Sequence, residues 1–594
     1  MSITERKDVK PQDCWDLTVL FPTDQNWEDE FIRIQKEAPQ LLSFAGRLGE
    51  GIKTYREANL LSDNIGQILE KLGHYAQLKV SENVADPLAN QRLGRFQSYV
   101  TQFYSQLSFW DVELMTLPKE THDNYLESPD LEPWKISLEK ILHHKPHILT
   151  EAEEKILALG SESRSAISKT FSSLTNADLD FGTLEVQGEQ KPLTQSTYSL
   201  FLQNPLPEVR RRAYLQFYSQ FEKHANTLSS LYTGSIQQDV YKSRVRKFTS
   251  SRSMALFPDK VPEEVYDNLV QVVTEHLPLL HRYYRIRKTF LGLEKLHHSD
   301  LYAPMLKGID MVTPFDKAVE LVSEAVTPLG REYQEVLTKG LTGGWVDKYE
   351  NKGKRSGAFS SGAWEGHPYI LMNYKETDLR DVFTLAHEAG HSMHSWYSVK
   401  NNSYSSYNYT IFEAEVASTV NEQLLAKYLL EKTTDANIKK FLVSKQVEDT
   451  VATLFRQTMF AEFEHLVHVK AETEGGVTLE WLRQTYRNLL TKYLGSDVEL
   501  EDCSDLEGLR IPHFYNAFYV YKYATGLSAA MALAKGLLTG DEKKQKDYLA
   551  FLSSGGSRYP LESLKVAGVD MSSPQPIKDA MEVFKNLLDQ LEQT

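Results

Sequence analysis

The stretch FTLAHEAGHSMHSWYS, residues 383–398, places His387, Glu388, His391 and His394 within eight positions of a helical hydrophobic pattern. Leu379, Val382, Phe383, Ala386 and Ala389 supply an inward face. Thr377 or Asp378 can cap the helix, with Asp381 in the first turn where the dipole favours an anion. Residues four apart on a helix are offset by about 40° and by about 6 Å along the axis. His387 and His391 therefore point the same way, and both imidazoles can reach one Zn²⁺ at about 2.0–2.1 Å. Glu388 sits at the margin of that face, too offset to coordinate but near enough to act as a base toward water on the metal. This is the HExxH arrangement. The longer motif with a third histidine is absent, because its positions hold His394 and Tyr397. His394 reads as packing, or as support for the ligands.

Working outward, the 32 residues before this helix break the helical pattern. GGWVDKYENKGKRSGAFSSGAWEGHPYILMNY, from Gly343 to Tyr374, is rich in glycine and ends in a short apolar run. It reads as a small sheet, with Pro368 opening an edge strand. An extended peptide can add to such an edge through main-chain hydrogen bonds. Pro368, Tyr369, Ile370, Leu371, Met372 and Asn373 are the candidate substrate-binding residues.

A catalytic zinc needs a third protein ligand and an open position. TIFEAEVASTVNEQLLAKYLLE (410–431) is a strong helix carrying Glu413, Glu415 and Glu422, and geometry from sequence leaves all three open. Near the C-terminus, IPHFYNAFYVYKYATG (511–526) spaces Tyr515, Tyr519 and Tyr523 four apart, so their hydroxyls are expected on one stripe of a helix. An aromatic core stripe explains that spacing equally well.

Most of the remaining chain is helical by pattern, from DEFIRIQKEAPQLLSF to the C-terminal PIKDAMEVFKNLLDQLEQ. Pro262 and Pro314 are expected in first helical turns. LTNADLDFGTLEVQGEQKPLTQSTYSLFLQNP (174–205) contains a hairpin pattern, and a domain boundary is expected near residue 200. The regions are then 1–200, an N-terminal helical wall, and 201–594, the part holding the HExxH helix.

Composition sets the limits. The 594 residues are 41% hydrophobic and 25% charged, with a net charge of −15, which opposes a role in gripping nucleic acid. Cys14 and Cys503 alone cannot build a disulfide framework, which fits a reducing cytoplasm. The N-terminal residues are polar, and no stretch approaches the ~18 apolar residues of a membrane span. The expectation is a soluble, cytoplasmic protein.

HEAGHSMHS, FEAEVAST and IPHFYNAFYVYKYATG together resemble the M3 family of zinc oligopeptidases, in its oligoendopeptidase F branch. WDLTVLFPTDQNWEDEF (15–31) and GKRSGAFSSGAWEGHPYILMNY (353–374) resemble it too. The resemblance implies a mainly α fold, elongated, with a deep substrate channel, a small β-sheet beside the HExxH helix and one Zn²⁺ per chain. It implies Glu415, with Ser418, as the third ligand. It also implies that His513, Tyr515 and Tyr519, and less directly Tyr523, bind substrate and the oxyanion. Short peptides would be the substrates, cleaved internally with Glu388 as base. Two other readings remain: a carboxypeptidase or dipeptidyl carboxypeptidase on a similar fold, and a non-catalytic helical scaffold that binds peptides.

Overall fold

A computed structural model of the chain describes residues 4–306 and 311–593. It is mainly helical, and it divides into two compact units, each assembled from three separate segments. The first comprises Met1–Pro146, Ile309–Lys432 and Ala529–Asp570. The second comprises His147–Gly308, Thr433–Ser528 and Met571–Thr594. No described helix is long and apolar enough to cross a membrane.

The first unit contains a three-stranded sheet, ordered Val346–Asp347, Tyr369–Leu371, Phe359–Ser361. The middle strand runs parallel to the first and antiparallel to the last. Strands this short carry few ladder bonds, so packing must hold them. Tyr369 and Leu371 join a core with Trp15, Trp27, Phe31, Leu72 and Tyr75. Each fully buried side chain of this size contributes about 1.5–3 kcal/mol, more than the net ~1 kcal/mol of a single ladder bond.

The expectation that Pro368 opens an edge strand is corrected here. Tyr369, Ile370 and Leu371 are 0% exposed and form the central strand. The Ile370 and Met372 N–H groups donate to Trp345 O and Asp347 O, each at 2.8 Å. Asn373 spends its side-chain amide on Arg355 O and Gly357 O, at 3.0 and 2.8 Å. The Val346–Asp347 strand is flanked in turn by residues 13–16, through Asp16 N to Gly344 O and Lys348 N to Asp13 O. The edge left on this sheet is Phe359–Ser361.

In the second unit, the expected hairpin is present as Thr183–Val186 and Glu189–Pro192, turning at Gln187 and Gly188, both with positive φ. The boundary near residue 200 does not fall there. Helix Gln195–Leu202 closes directly onto the following helix, Pro207–Lys223, with Tyr198 stacked on Phe217 at 3.8 Å, and both lie inside the second unit. Pro262 and Pro314 stand one position earlier than expected, as the extended cap residues ahead of helices Glu263–Glu275 and Phe315–Ala325.

Candidate active site

Helix Leu379–Asn401 starts as its sequence dictates. The Asp378 carboxylate accepts the Arg380 N–H at 3.0 Å, and Asp381 accepts the Lys375 N–H at 2.6 Å. Its partner is helix Ile411–Lys432, and Gly390 sets how close the two come. A Cβ at Gly390 would stand 2.6 Å from Ser418 Cα and 2.7 Å from Ala417 O, both main-chain atoms. Asn421 fixes the register, donating to Ala386 O at 3.2 Å and accepting the Tyr333 hydroxyl at 2.9 Å.

That close approach brings three donors together. His387 Nε2 and His391 Nε2 are 3.2 Å apart, and Glu415 Oε2 lies 3.5 and 3.8 Å from them. Bonds of about 2.0–2.1 Å in a tetrahedron put neighbouring ligand atoms roughly 3.3 Å apart, so this triangle fits one zinc-sized cation. The same three residues form the one His/Cys/Asp/Glu cluster among the described residues that could hold a metal ion.

The other two glutamates of the helix are disposed differently. Glu413 is 1% exposed and turns to Thr410, whose hydroxyl donates at 3.2 Å. Glu422 lies two turns beyond Glu415 and accepts from His387 Nδ1 at 2.6 Å. Burial would lower the His387 pKa, but Glu422 and the nearby carboxylates outweigh it and push it up to about 9. This carboxylate fixes which ring nitrogen of His387 faces the cluster. Sequence alone does not separate Glu422 from Glu413 and Glu415, because its contact with His387 Nδ1 depends on how the two helices pack. Burial and the neighbouring His387 hold the His391 pKa down at about 3.

Glu388 is 7% exposed, and its pKa is raised to about 7. Burial is the main cause; the charge on His387 opposes it, the Glu415 carboxylate adds to it, and the Ser360 main-chain amide favours the ionised form. Three carboxyls against two imidazoles leave the cluster short of positive charge, which suits a divalent cation. His394 is packing: it stacks on Tyr409 at 3.6 Å and is buried to 1% exposure.

Strand Phe359–Ser361 lies along the histidine helix. Ser360 Oγ is 2.8 Å from Ser392 Oγ, and a Cβ at Gly362 would strike Ser395 at 2.5 Å. The Ser360 main-chain amide of this strand faces Glu388, while Pro368 O accepts the Ser392 hydroxyl at 3.1 Å.

The segment 513–523, in the second unit, is not the continuous helix its spacing suggests. Pro512–Tyr515 is a 3-10 turn, and the next helix begins at Tyr521. Between them Phe518 adopts a left-handed φ of 56°. Tyr515, Tyr519 and Tyr523 therefore do not share a helical stripe. His513, Tyr519 and Tyr523 gather instead, with ring centroids 5.4–6.3 Å apart and His513 exposed. Tyr515 turns away, stacked on Phe171 at 4.2 Å with its hydroxyl buried.

Two family models match the chain: peptidase family M3 over residues 200–583 and oligopeptidase F over residues 113–181. An oligoendopeptidase F homolog of Borreliella burgdorferi is 41% identical, covering 99% of each chain. Oligopeptidase PepF of Bacillus subtilis is 39% identical, covering 100% of this chain and 88% of its own length. A crystal structure from Chlamydophila abortus matches with a TM-score of 0.92 at 34% identity, covering 100% of both chains. The oligoendopeptidase-F structure from Enterococcus faecium matches with a TM-score of 0.75 at 34% identity, covering 96% of this chain and 99% of that one.

Proposed function

Because the chain belongs to peptidase family M3, we propose that it is a zinc-dependent endopeptidase hydrolysing internal bonds of short oligopeptides. The observation that carries this is the convergence of His387, His391 and Glu415, with the buried carboxyl of Glu388 one position from the first of them. A divalent cation held by those three side chains supplies Lewis acidity for a peptide carbonyl and for water.

The remaining steps belong to the protein. Glu422 holds the His387 ring, and Ser418, whose hydroxyl donates to Glu415 O at 3.0 Å, steadies the third ligand. Glu388, a buried carboxyl beside the three candidate ligands, takes a proton from the attacking water and returns it to the leaving amine. Strand Phe359–Ser361 takes the peptide main chain by strand addition, which reads backbone rather than side chains. His513 and Tyr519 bind peptide, a role that the family resemblance supports, and the ring cluster they form with Tyr523 favours Tyr523 over Tyr515 beside them. A reducing cytoplasm is the proposed compartment, supported by Cys14 and Cys503 standing as free thiols.

The test is digestion of a mixed peptide library, with free and amidated C-termini, read by mass spectrometry with and without a chelator. Chelator-sensitive internal cleavage that ignores amidation is expected. Cleavage confined to free C-termini would favour the carboxypeptidase reading. Absence of any cleavage and of bound metal would favour the scaffold.

A further inference from the structure

Helix Ile52–Glu82 turns one face toward the edge strand Phe359–Ser361 and the segment leaving it. His74 Nε2 meets Ser361 Oγ at 3.0 Å, and Lys71 Nζ pairs with Glu365 at 2.6 Å. Between them Glu70 Oε2 accepts the Trp364 main-chain N–H at 3.1 Å. The other oxygen of the same carboxylate accepts the hydroxyl of Tyr407. Tyr407 stands four residues ahead of helix Ile411–Lys432, which carries Glu415 and Glu422.

The surroundings hold this junction tightly. The rings of Trp364, Tyr404 and Tyr407 lie 5.4–5.8 Å from one another. Gly66, one turn before Glu70, sits under Tyr404, where a Cβ would come within 2.7 Å of the ring. Burial raises the Glu70 pKa, opposed by the Tyr407 hydroxyl and the Trp364 N–H. One side chain thus joins the exit of the edge strand to the entry of the helix bearing the third candidate ligand.

We propose that Glu70 is a positioning residue that sets which bond of a bound peptide is cleaved, by fixing the edge strand relative to the helix that carries Glu415. This rests on the endopeptidase reading above. The strand has three residues and pairs with a single neighbour, so its own ladder defines its position weakly. A peptide added to that edge advances about 3.3 Å per residue, and a fractional shift of the strand changes which bond meets Glu388 and the metal ligands. Glu70 touches neither substrate nor metal in this scheme.

The test uses one defined peptide with several cleavable bonds, digested at low conversion by the full-length wild type, E70A, E70Q and Y407F, each loaded with zinc. The ratio of products from neighbouring bonds is read by mass spectrometry. That ratio does not depend on the fraction of enzyme folded, so a loss of stability alone leaves it unmoved. E70A is expected to shift the ratio about tenfold, within the ~10²-fold effect that 1 Å of misplacement produces. E70Q is expected to keep the wild-type ratio, since its carbonyl accepts from Trp364 and its amide donates to the Tyr407 oxygen. Y407F is expected to shift it in the E70A direction, and it carries the test if E70A does not fold. An unchanged ratio in metal-loaded E70A, or in Y407F where E70A is unfolded, overturns the inference while leaving the endopeptidase reading intact. No chelator-sensitive internal cleavage by the wild type overturns both.

Discussion

Glu422 Oε1 lies 2.6 Å from His387 Nδ1, on the side of the ring opposite the cluster formed with His391 and Glu415. The orientation of this candidate ligand depends on a carboxylate that does not itself join the cluster. Glu422→Ala is expected to weaken metal binding by about 10–100-fold while the helix pair stays folded. Competition with a metallochromic chelator measures this, and an unchanged affinity would remove Glu422 from the scheme.

Gly390 makes a prediction about packing. The methyl of Gly390→Ala would meet main-chain atoms of Ser418 and Ala417, which cannot rotate away. Forcing the helices apart should cost about 1–3 kcal/mol and draw Glu415 back from the imidazoles. Thermal melting and metal titration should both show the loss. A fully stable, metal-binding variant would mean that the close approach is not needed.

His298 gives a pH dependence. It is buried beside the Tyr214 hydroxyl, 2.9 Å from Nδ1, and burial holds its pKa down at about 4. Its folded pKa lies below the unfolded value of ~6.5, so its contribution is complete above pH ~6.5 and is lost as pH falls toward 4. The full span amounts to roughly 3 kcal/mol. Urea denaturation of the wild type and of H298Q at pH 7.5 and pH 5 checks this. The wild type should lose more stability than the variant between the two, and equal losses would count against a buried neutral imidazole.

The parts of this site that could be read from the sequence are the local ones. His387, Glu388 and His391 sit within five positions on one helix, so the helical repeat alone fixes their relation. The choice among Glu413, Glu415 and Glu422 depends on how the second helix is rotated and how deeply Gly390 lets it in, and both are tertiary facts. Residues 369–371 read as an edge from sequence because the strand that pairs with them, Val346–Asp347, is only two residues long, too short to leave a pattern. The break at Phe518 was hidden for a related reason. Phenylalanine rarely adopts φ > 0, and no glycine or proline marks the turn. The alternation of helices survived translation into structure because it rests on the apolar period of each segment.

In the proposed mechanism three side chains hold a cation while Glu388 handles the proton, and turnover of an internally quenched peptide by E388Q of measured metal content separates the two roles. One zinc per chain is expected in both proteins, with kcat lower in E388Q by several orders of magnitude, beyond the about 10²–10⁴-fold of ordinary acid–base assistance. Turnover within a few-fold of the wild type at full metal occupancy would contradict that role for Glu388.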